Sequence, residues 1–189
     1  MAVAGWGMLL GEFDDATESA QPASKRPYQE PVLMVSHVTR SYKPGLVNGT
    51  AESAAFRTPT ALISLSHLPE GADEAVVVSD TGNNILRRLV LRDEEWKIES
   101  YAAGGLWLKP KGMCEIESGA LLVCDSGHHK IKRVSPGGND VTKYAGSGKK
   151  GYKDGPASKA EFDTPSGICV CPSDGSIIVA DTGNNAIRR

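Results

Sequence analysis

A phrase of nine residues occurs three times in this chain and limits its fold more than any other feature. The copies run from Asp80 to Arg88, from Asp125 to Arg133 and from Asp181 to Arg189. Each copy starts Asp-Thr/Ser-Gly, continues with Asn or His pairs and ends on two basic residues. The copies begin 45 and then 56 residues apart, and repetition at this distance predicts an array of small, similar structural units.

Short aliphatic runs precede each copy, at residues 75–78, 120–124 and 176–180. Runs of this length without polar alternation are typical of strands that are buried on both faces. In the second unit the end of the phrase belongs to strand-like residues at 131–134, which a Pro-Gly-Gly-Asn turn and residues 141–144 follow. This order predicts four short antiparallel strands per unit, joined by tight turns, which is the blade of a β-propeller.

The predicted blades do not complete a ring. We expect a flexible N-terminal segment at 1–31, a partial blade at 32–58, blades at 59–108 and 109–164, and a partial blade at 165–189. Residues 32–42 resemble the last two strands of a blade. The total is about three blades' worth of strands, whereas closed propellers have roughly four to eight blades. We therefore expect an incomplete propeller that is a fragment of a longer protein, with self-association as the alternative.

Further motifs recur around the phrase in a constant order. In the third unit they are Ala145-Gly146-Ser147-Gly148, Asp154-Gly155-Pro156, Ala160-Glu161-Phe162 and Thr164-Pro165-Ser166-Gly167. Together with residues 181–189, this series resembles the NHL repeats of a family of propeller proteins. The resemblance covers about residues 32–189 and implies an all-β, NHL-type β-propeller segment. The first unit departs from the family pattern at Ala61, where glycine is usual.

Composition narrows the classes of function. A net charge of −2 gives no general attraction to nucleic acid or to anionic membranes. The chain has no apolar run long enough to span a membrane and no basic N-terminal signal, so we expect a soluble, cytoplasmic protein without a membrane partner. The four cysteines do not form a disulfide framework, and we expect small buried thiols in a reducing compartment. A metal pair at Cys169 and Cys171 lacks a second pair of ligands.

The polar residues of the phrase are best explained by the fold, because they recur in every unit. We expect the aspartates to accept backbone N–H groups of the following turn and the glycines to supply positive φ angles. The residues concerned are Asp80, Gly82, Asp125, Gly127, Asp181 and Gly183. His128 and His129 stand where the other units have Asn pairs, so we predict turn residues there in preference to a metal or catalytic site.

The basic pairs at the end of the phrase leave two alternatives open. Equivalent positions of a propeller fall on a ring, so one cation per blade could form a basic face for RNA or acidic peptides. Those cations would be Arg87, Lys132 and Arg188. Alternatively, the same residues form structural ion pairs with carboxylates of their own or neighbouring blades.

The resemblance implies a non-catalytic scaffold that binds a protein partner through loops at the blade ends. We expect the loops at 149–159 and 69–74 to carry this function, with Lys149, Lys150, Tyr152 and Lys153 as candidate binding residues. RNA or acidic-peptide binding by the basic ring is the main alternative. A hydrolase or lyase with a metal in the central channel is the second, but Glu115 is the only carboxylate on the predicted inner strands. We therefore predict no catalytic residue, no cofactor and no metal.

Overall fold

The computed structural model of the chain describes residues 38, 39, 41 and 43–189. These residues belong to one compact unit that spans residues 36–189. The flexible segment predicted at 1–31, and most of the strand pair predicted at 32–42, lie outside the described residues.

The described residues form twelve β-strands and four short 3-10 helices, without an α-helix among them. The strands of the first unit are Gly49–Thr50 (β1), Pro59–Ser64 (β2), Glu74–Asp80 (β3), Ile85–Arg92 (β4) and Glu95–Tyr101 (β5). Those of the second are Pro110–Glu115 (β6), Leu121–Asp125 (β7), Lys130–Val134 (β8) and Val141–Ala145 (β9). Those of the third are Pro165–Val170 (β10), Ile177–Asp181 (β11) and Ala186–Arg188 (β12). The 3-10 helices are Thr81–Asn83, Ala103–Gly105, Ser126–His128 and Thr182–Asn184.

The strands make three antiparallel sheets, in the orders β1-β5-β4-β3-β2, β6-β7-β8-β9 and β10-β11-β12. Apart from β1, which pairs with β5, consecutive strands of each sheet pair with each other, as in the blades of a propeller. The all-β prediction and the prediction of an incomplete propeller are confirmed. The exact blade limits given above stay a prediction.

The strands at the inner edges of the three sheets are β2, β6 and β10, and they run side by side. Gly112 shows how close these inner strands are, because a Cβ atom there would lie 2.6 Å from the backbone oxygen of Ser166. A larger residue at position 112 would push the second and third sheets apart.

Two apolar clusters fill the spaces between neighbouring sheets. Side chains of a strand point alternately to its two faces. Leu121 and Val123 of β7 therefore face the first sheet, whereas Leu122 and Cys124 face the third. Phe162 is buried in the second cluster, between the second and third sheets.

Candidate interaction site

The repeated aspartate ends the second strand of each sheet and is fully buried. In the first sheet, Oδ1 of Asp80 accepts the backbone N–H of Arg57 at 2.7 Å. Its Oδ2 accepts hydrogen bonds from Asn83 Nδ2 at 2.8 Å and from the guanidinium of Arg87 at 3.2 Å. The aspartate does not cap the 3-10 turn that follows it, so the predicted bond to backbone N–H groups of that turn is wrong. The carboxylate instead links two parts of the chain, because Arg57 lies in the segment before β2 and Arg87 lies in β4.

The other two aspartates repeat this arrangement. Asp125 accepts the backbone N–H of Leu108 at 2.8 Å, and Asp181 accepts that of Asp163 at 2.7 Å. Their second oxygens contact His128 Nδ1 (2.8 Å) and Lys132 Nζ (2.5 Å) in one case, and Asn184 Nδ2 (2.8 Å) and Arg188 Nη1 (2.9 Å) in the other. The cation seven residues after each aspartate is therefore its ion-pair partner.

Arg87 has no exposed surface. Besides Asp80, its guanidinium donates to the backbone oxygens of Ala55 at 3.0 Å and Val47 at 2.6 Å. The group also stacks on Phe56, 4.7 Å from the ring centre, which is a favourable cation–π distance. Its charge is thus neutralised inside the protein and cannot reach a ligand.

Lys132 and Arg188 are held in the same way, with only 14% and 10% of their side chains exposed. Lys132 Nζ donates to the backbone oxygen of Gly105 at 2.6 Å and lies over the ring of Trp107. Arg87, Lys132 and Arg188 therefore form structural ion pairs, which is one of the two alternatives that the sequence left open. The structure does not present these three residues as a ring of exposed cations.

The glycine of the phrase is required for close approach and not for a positive φ angle, which corrects the expectation. A Cβ atom on Gly127 would lie 2.4 Å from Cγ of Leu108, and one on Gly183 would lie 2.3 Å from Cγ of Asp163. Gly82 is similarly close to Arg57. The left-handed residue of the turn is the second of the Asn/His pair, with φ between 52° and 55° in all three turns.

The side chain of this left-handed residue forms a hydrogen bond with the backbone that leads into the next sheet. Asn84 Oδ1 accepts the backbone N–H of Lys109 at 2.8 Å, and His129 Nδ1 accepts that of Thr164 at 3.0 Å. An imidazole nitrogen that accepts a backbone N–H carries no proton, so this bond requires neutral His129. A second hydrogen bond links each pair of neighbouring sheets. The hydroxyl of Thr81 donates to the backbone oxygen of Pro110, and that of Ser126 to the backbone oxygen of Pro165, each at 2.5 Å.

The loop at 146–163 is an ordered structure that the third copy of the phrase holds in place. Lys153 and Glu161 face each other across the loop and are joined by two backbone hydrogen bonds of 3.4 and 3.0 Å. Arg188 donates to the backbone oxygens of both residues, and Asn184 Nδ2 donates to that of Gly151 at 2.8 Å. We call this segment the clamped loop, because side chains of the turn and of β12 fix its backbone.

The clamped loop presents exposed side chains on top of this fixed backbone. Lys149, Lys150, Tyr152 and Lys153 are all exposed, and Tyr152 keeps 65% of its surface accessible. The Thr164 hydroxyl donates to the Asp163 carboxyl at 2.8 Å, and Lys150 pairs with the same carboxyl at 3.2 Å. The Thr164 bond first, and Lys150 after it, hold the pKa of Asp163 below its usual range. Four of the predicted binding residues therefore lie on one loop, and we call them the loop surface.

The second predicted loop, residues 69–74, is at the other end of the sheets. In an antiparallel sheet the connection after the first strand and the connection after the fourth strand lie at opposite ends. Residues 69–74 follow β2, whereas the clamped loop follows β9. The two loops predicted to bind a partner therefore lie at opposite ends of the sheets and do not form one surface.

Glu115, the carboxylate considered for a channel metal, is engaged by the loop after β2. Its oxygens accept the backbone N–H and the hydroxyl of Ser66, both at 2.9 Å, and His67 Nδ1 lies 3.3 Å away. Among residues 43–189 no group of three or more His, Cys, Asp or Glu side chains is arranged to hold a metal ion.

The cysteines fall into two classes. Burial raises the pKa of Cys114 to about 11 and that of Cys124 to about 12, so both stay protonated thiols at neutral pH. Cys169 is exposed, in contrast to the burial expected of it. The hydroxyl of Ser173 lies 3.1 Å from Cys171 Sγ, and this bond lowers the pKa of that thiol.

A cavity of about 430 Å³ opens beside the clamped loop. Its walls include Tyr144, Asp154, Phe162, Ile177 and Arg188. It lies between the outer strands of the second and third sheets and contains mainly apolar wall residues, so it continues the space that the second core cluster fills.

Comparison with known proteins finds a family that matches the last part of the chain. The NHL repeat family matches residues 162–189, which contain the end of the clamped loop and the third copy of the phrase. The chain carries an NHL repeat. The prediction of an NHL-repeat protein is thereby confirmed.

Two relatives support the same assignment. NHL repeat-containing protein 2 of Bos taurus is 28% identical over 160 residues, which is 75% of this chain and 22% of that protein. Protein SUPPRESSOR OF QUENCHING 1, chloroplastic, of Arabidopsis thaliana is 38% identical over 79 residues, 42% of this chain and 7% of that protein. The chain thus spans less than a quarter of the length of either relative.

Solved structures share the fold. An auxiliary nutrient binding protein from Bacteroides thetaiotaomicron superposes with a TM-score of 0.55 at 19% identity, over 72% of this chain and 37% of that one. A protein of unknown function from the same organism gives 0.53 at 19% identity, over 61% and 32%. At this identity the likeness concerns the fold alone.

In the described part of the chain, none of the helices could cross a membrane.

Proposed function

We propose that the chain is a non-catalytic scaffold whose loop surface binds an acidic segment of a protein partner. The observation that carries the proposal is the combination of a fixed backbone and free side chains in the clamped loop. Arg188 and Asn184 hold the loop from beneath, while Lys149, Tyr152 and Lys153 point into solvent. The NHL repeat supports an interaction scaffold as the broad class of function.

A prearranged loop favours binding because less conformational entropy is lost when the partner docks. Tyrosine is enriched among residues that dominate interface energies, and Tyr152 is additionally held by Arg188, whose guanidinium lies 4.8 Å from the ring centre. The tyrosine therefore offers a large, oriented contact without needing to be ordered by the partner.

Charge determines the kind of partner. Neither Lys149 nor Lys153 forms an ion pair within the described residues, so two lysine charges are available beside Tyr152. A positive patch attracts a negative one and speeds the encounter, although the chain as a whole carries a net charge of −2. An acidic, tyrosine-contacting segment of a protein fits this surface.

The test compares proteins captured by the intact chain and by charge-reversed variants. Lys149→Glu combined with Lys153→Glu reverses the loop surface, and Lys97→Glu combined with Lys143→Glu makes the same change of charge on exposed positions of β5 and β9. We expect the loop variant, and not the control, to lose specific partners, with an affinity decrease of about tenfold or more for a partner that is then isolated. Capture that is equal for the wild-type chain and the loop variant would refute the proposal.

A further inference from the structure

The junction between the second and third sheets makes one of its hydrogen bonds through a titratable side chain, whereas the first junction uses an amide. Asn84 accepts the backbone N–H of Lys109 at 2.8 Å. At the equivalent position of the next turn, His129 Nδ1 accepts the backbone N–H of Thr164 at 3.0 Å. An amide oxygen accepts at any pH, whereas an imidazole nitrogen accepts only while it carries no proton. The second junction can therefore respond to pH in the range in which histidine titrates.

A carboxylate lies beside this imidazole and can accept a bond from its protonated form. Asp163 Oδ1 is 3.7 Å from His129 Nδ1, and the other oxygen of the carboxylate pairs with Lys150 Nζ at 3.2 Å. A hydrogen bond from the Thr164 hydroxyl is the largest cause that lowers the pKa of Asp163. Lys150 and His129 act in the same direction, so this carboxylate is charged at the pH at which histidine takes up a proton. His129 thus has one partner for its neutral form and another for its charged form.

The other charged or titratable groups around this junction have contacts of their own. They are His128 and Lys132, which both contact Asp125 (2.8 and 2.5 Å), Arg188, which pairs with Asp181 (2.9 Å), Lys130, which lies against Gly148, and Glu161, which lies against Gly151. Asp181 also accepts the backbone N–H of Asp163 at 2.7 Å and so fixes the position of that residue. None of these contacts has to break for a protonated His129 to turn to Asp163.

We propose that His129 is a pH switch for the loop surface, which exchanges its bond to Thr164 for a bond to Asp163 when it takes up a proton. A protonated Nδ1 is a donor, and it cannot stay bonded to the N–H of Thr164, which is also a donor. Asp163 Oδ1, 3.7 Å away, is within reach of a small rotation of the ring. The hydroxyl of Ser126 still donates to the backbone oxygen of Pro165, so the two sheets stay linked. The exchange is therefore local.

The exchange changes the charge that the clamped loop offers to a partner. While His129 is neutral, Asp163 balances the charge of Lys150, whose side chain is 69% exposed. Ion pairs of such exposed side chains are weak. Once the protonated His129 balances the same carboxylate, the charge of Lys150 is available to an acidic ligand. The switch acts on the loop surface and therefore rests on the proposed function, and it predicts tighter binding of an acidic segment at mildly acidic pH.

Amide hydrogen exchange of the full chain tests the switch without any ligand. The protection factors of the Thr164 and Lys109 amides are compared at about pH 7.5 and about pH 5.5, on either side of the range in which histidine titrates. We expect the protection of Thr164 to fall about threefold or more at the lower pH, because its acceptor is lost, and that of Lys109 to stay constant. His129→Asn restores the residue of the first turn and should make Thr164 insensitive to pH. Protection of Thr164 that does not change with pH in the wild-type chain would overturn the switch.

Binding of a poly-aspartate peptide tests the link to the loop surface, because the carboxylates of this peptide stay charged at both pH values. The wild-type chain should bind the peptide about threefold more tightly at about pH 5.5 than at about pH 7.5, and His129→Asn should lose most of this gain. His67→Asn is the matched control, because it removes an exposed imidazole from the loop after β2, at the other end of the sheets, and should keep the gain. Asp163→Asn leaves Lys150 without its carboxylate, so its affinity at the higher pH should already approach the value at the lower pH.

The two measurements separate a failure of the switch from a failure of the proposed function. A Thr164 amide that responds to pH, in a chain whose peptide binding is absent or survives Lys149→Glu combined with Lys153→Glu, would support the exchange at His129 and refute the proposed function. Binding that needs those lysines but gains equally at low pH in the wild-type chain and in His129→Asn would support the proposed function and refute the regulation by His129.

Discussion

Replacement of Arg87 by methionine should destabilise the fold strongly, although this arginine belongs to a basic motif that resembles a ligand site. Both Arg87 and its partner Asp80 are completely buried, and methionine keeps the apolar stem while removing the charge. The substitution leaves a buried carboxylate without its cation. It also removes one of the two hydrogen bonds that each of the Ala55 and Val47 backbone oxygens accepts.

The size of the effect follows from these contacts. Removing one member of a buried ion pair costs about 3–5 kcal/mol, because the remaining charge is uncompensated. Among the described residues Arg87 Nε has no hydrogen-bond partner, and relief of this buried N–H places the expected value towards the lower end. Lysine should cost less than methionine, since a lysine ion-pairs with the aspartate in the second sheet, at Lys132.

The measurement is the free energy of unfolding in urea, followed by tryptophan fluorescence. Arg92→Met is the matched control, because Arg92 lies on the same strand but is exposed and donates only to the backbone of Glu70. The control should change the free energy by less than about 0.5 kcal/mol. If Arg87→Met costs no more than Arg92→Met, the structural role of the recurring cation is refuted.

Three further predictions follow from the geometry. Gly127→Ala should lower the free energy of unfolding, because the new Cβ would meet Leu108 Cγ at 2.4 Å; an unchanged urea midpoint would contradict this. Iodoacetamide at pH 8 should label Cys171 well before Cys124, whose pKa of about 12 and complete burial protect it; equal rates would show that the second sheet opens easily. The pKa of Asp163 is lowered in the folded state, so its contribution to stability is present above the unfolded pKa and is lost as the pH falls through the folded one. Asp163→Asn should therefore reduce the loss of stability in urea titrations below about pH 4, and an unchanged acid limb would refute the assignment.

The sequence predicted the strands well because a repeat reports the same structural requirement three times. Each aliphatic run before an aspartate became the second strand of a sheet, and the turn after it appeared in the same form each time. The ion pair could also have been predicted. In a hairpin in which Asp80 pairs with Ile85 and Val78 with Arg87, alternation puts Asp80 and Arg87 on the same face.

Other parts of the site depend on contacts that are distant in the sequence. The aspartate accepts its backbone N–H from Leu108 in the second unit, 17 residues upstream, and nothing local to the phrase indicates this. The requirement for glycine likewise comes from that distant backbone. One signal was present but overlooked: an aromatic residue stands three positions before the first proline of every unit, at Phe56, Trp107 and Phe162, and each one stacks on a recurring cation.

Hydrogen exchange of the clamped loop tests the central claim most directly, namely that the repeat builds a rigid platform for binding. The amides of Ser147, Gly151 and Glu161 all donate to backbone oxygens within the loop. We expect them to exchange as slowly as amides of β9 in the wild-type chain, and quickly once Arg188→Met removes the clamp. Exchange of these amides at the rate of an unstructured peptide in the wild-type chain would contradict the account.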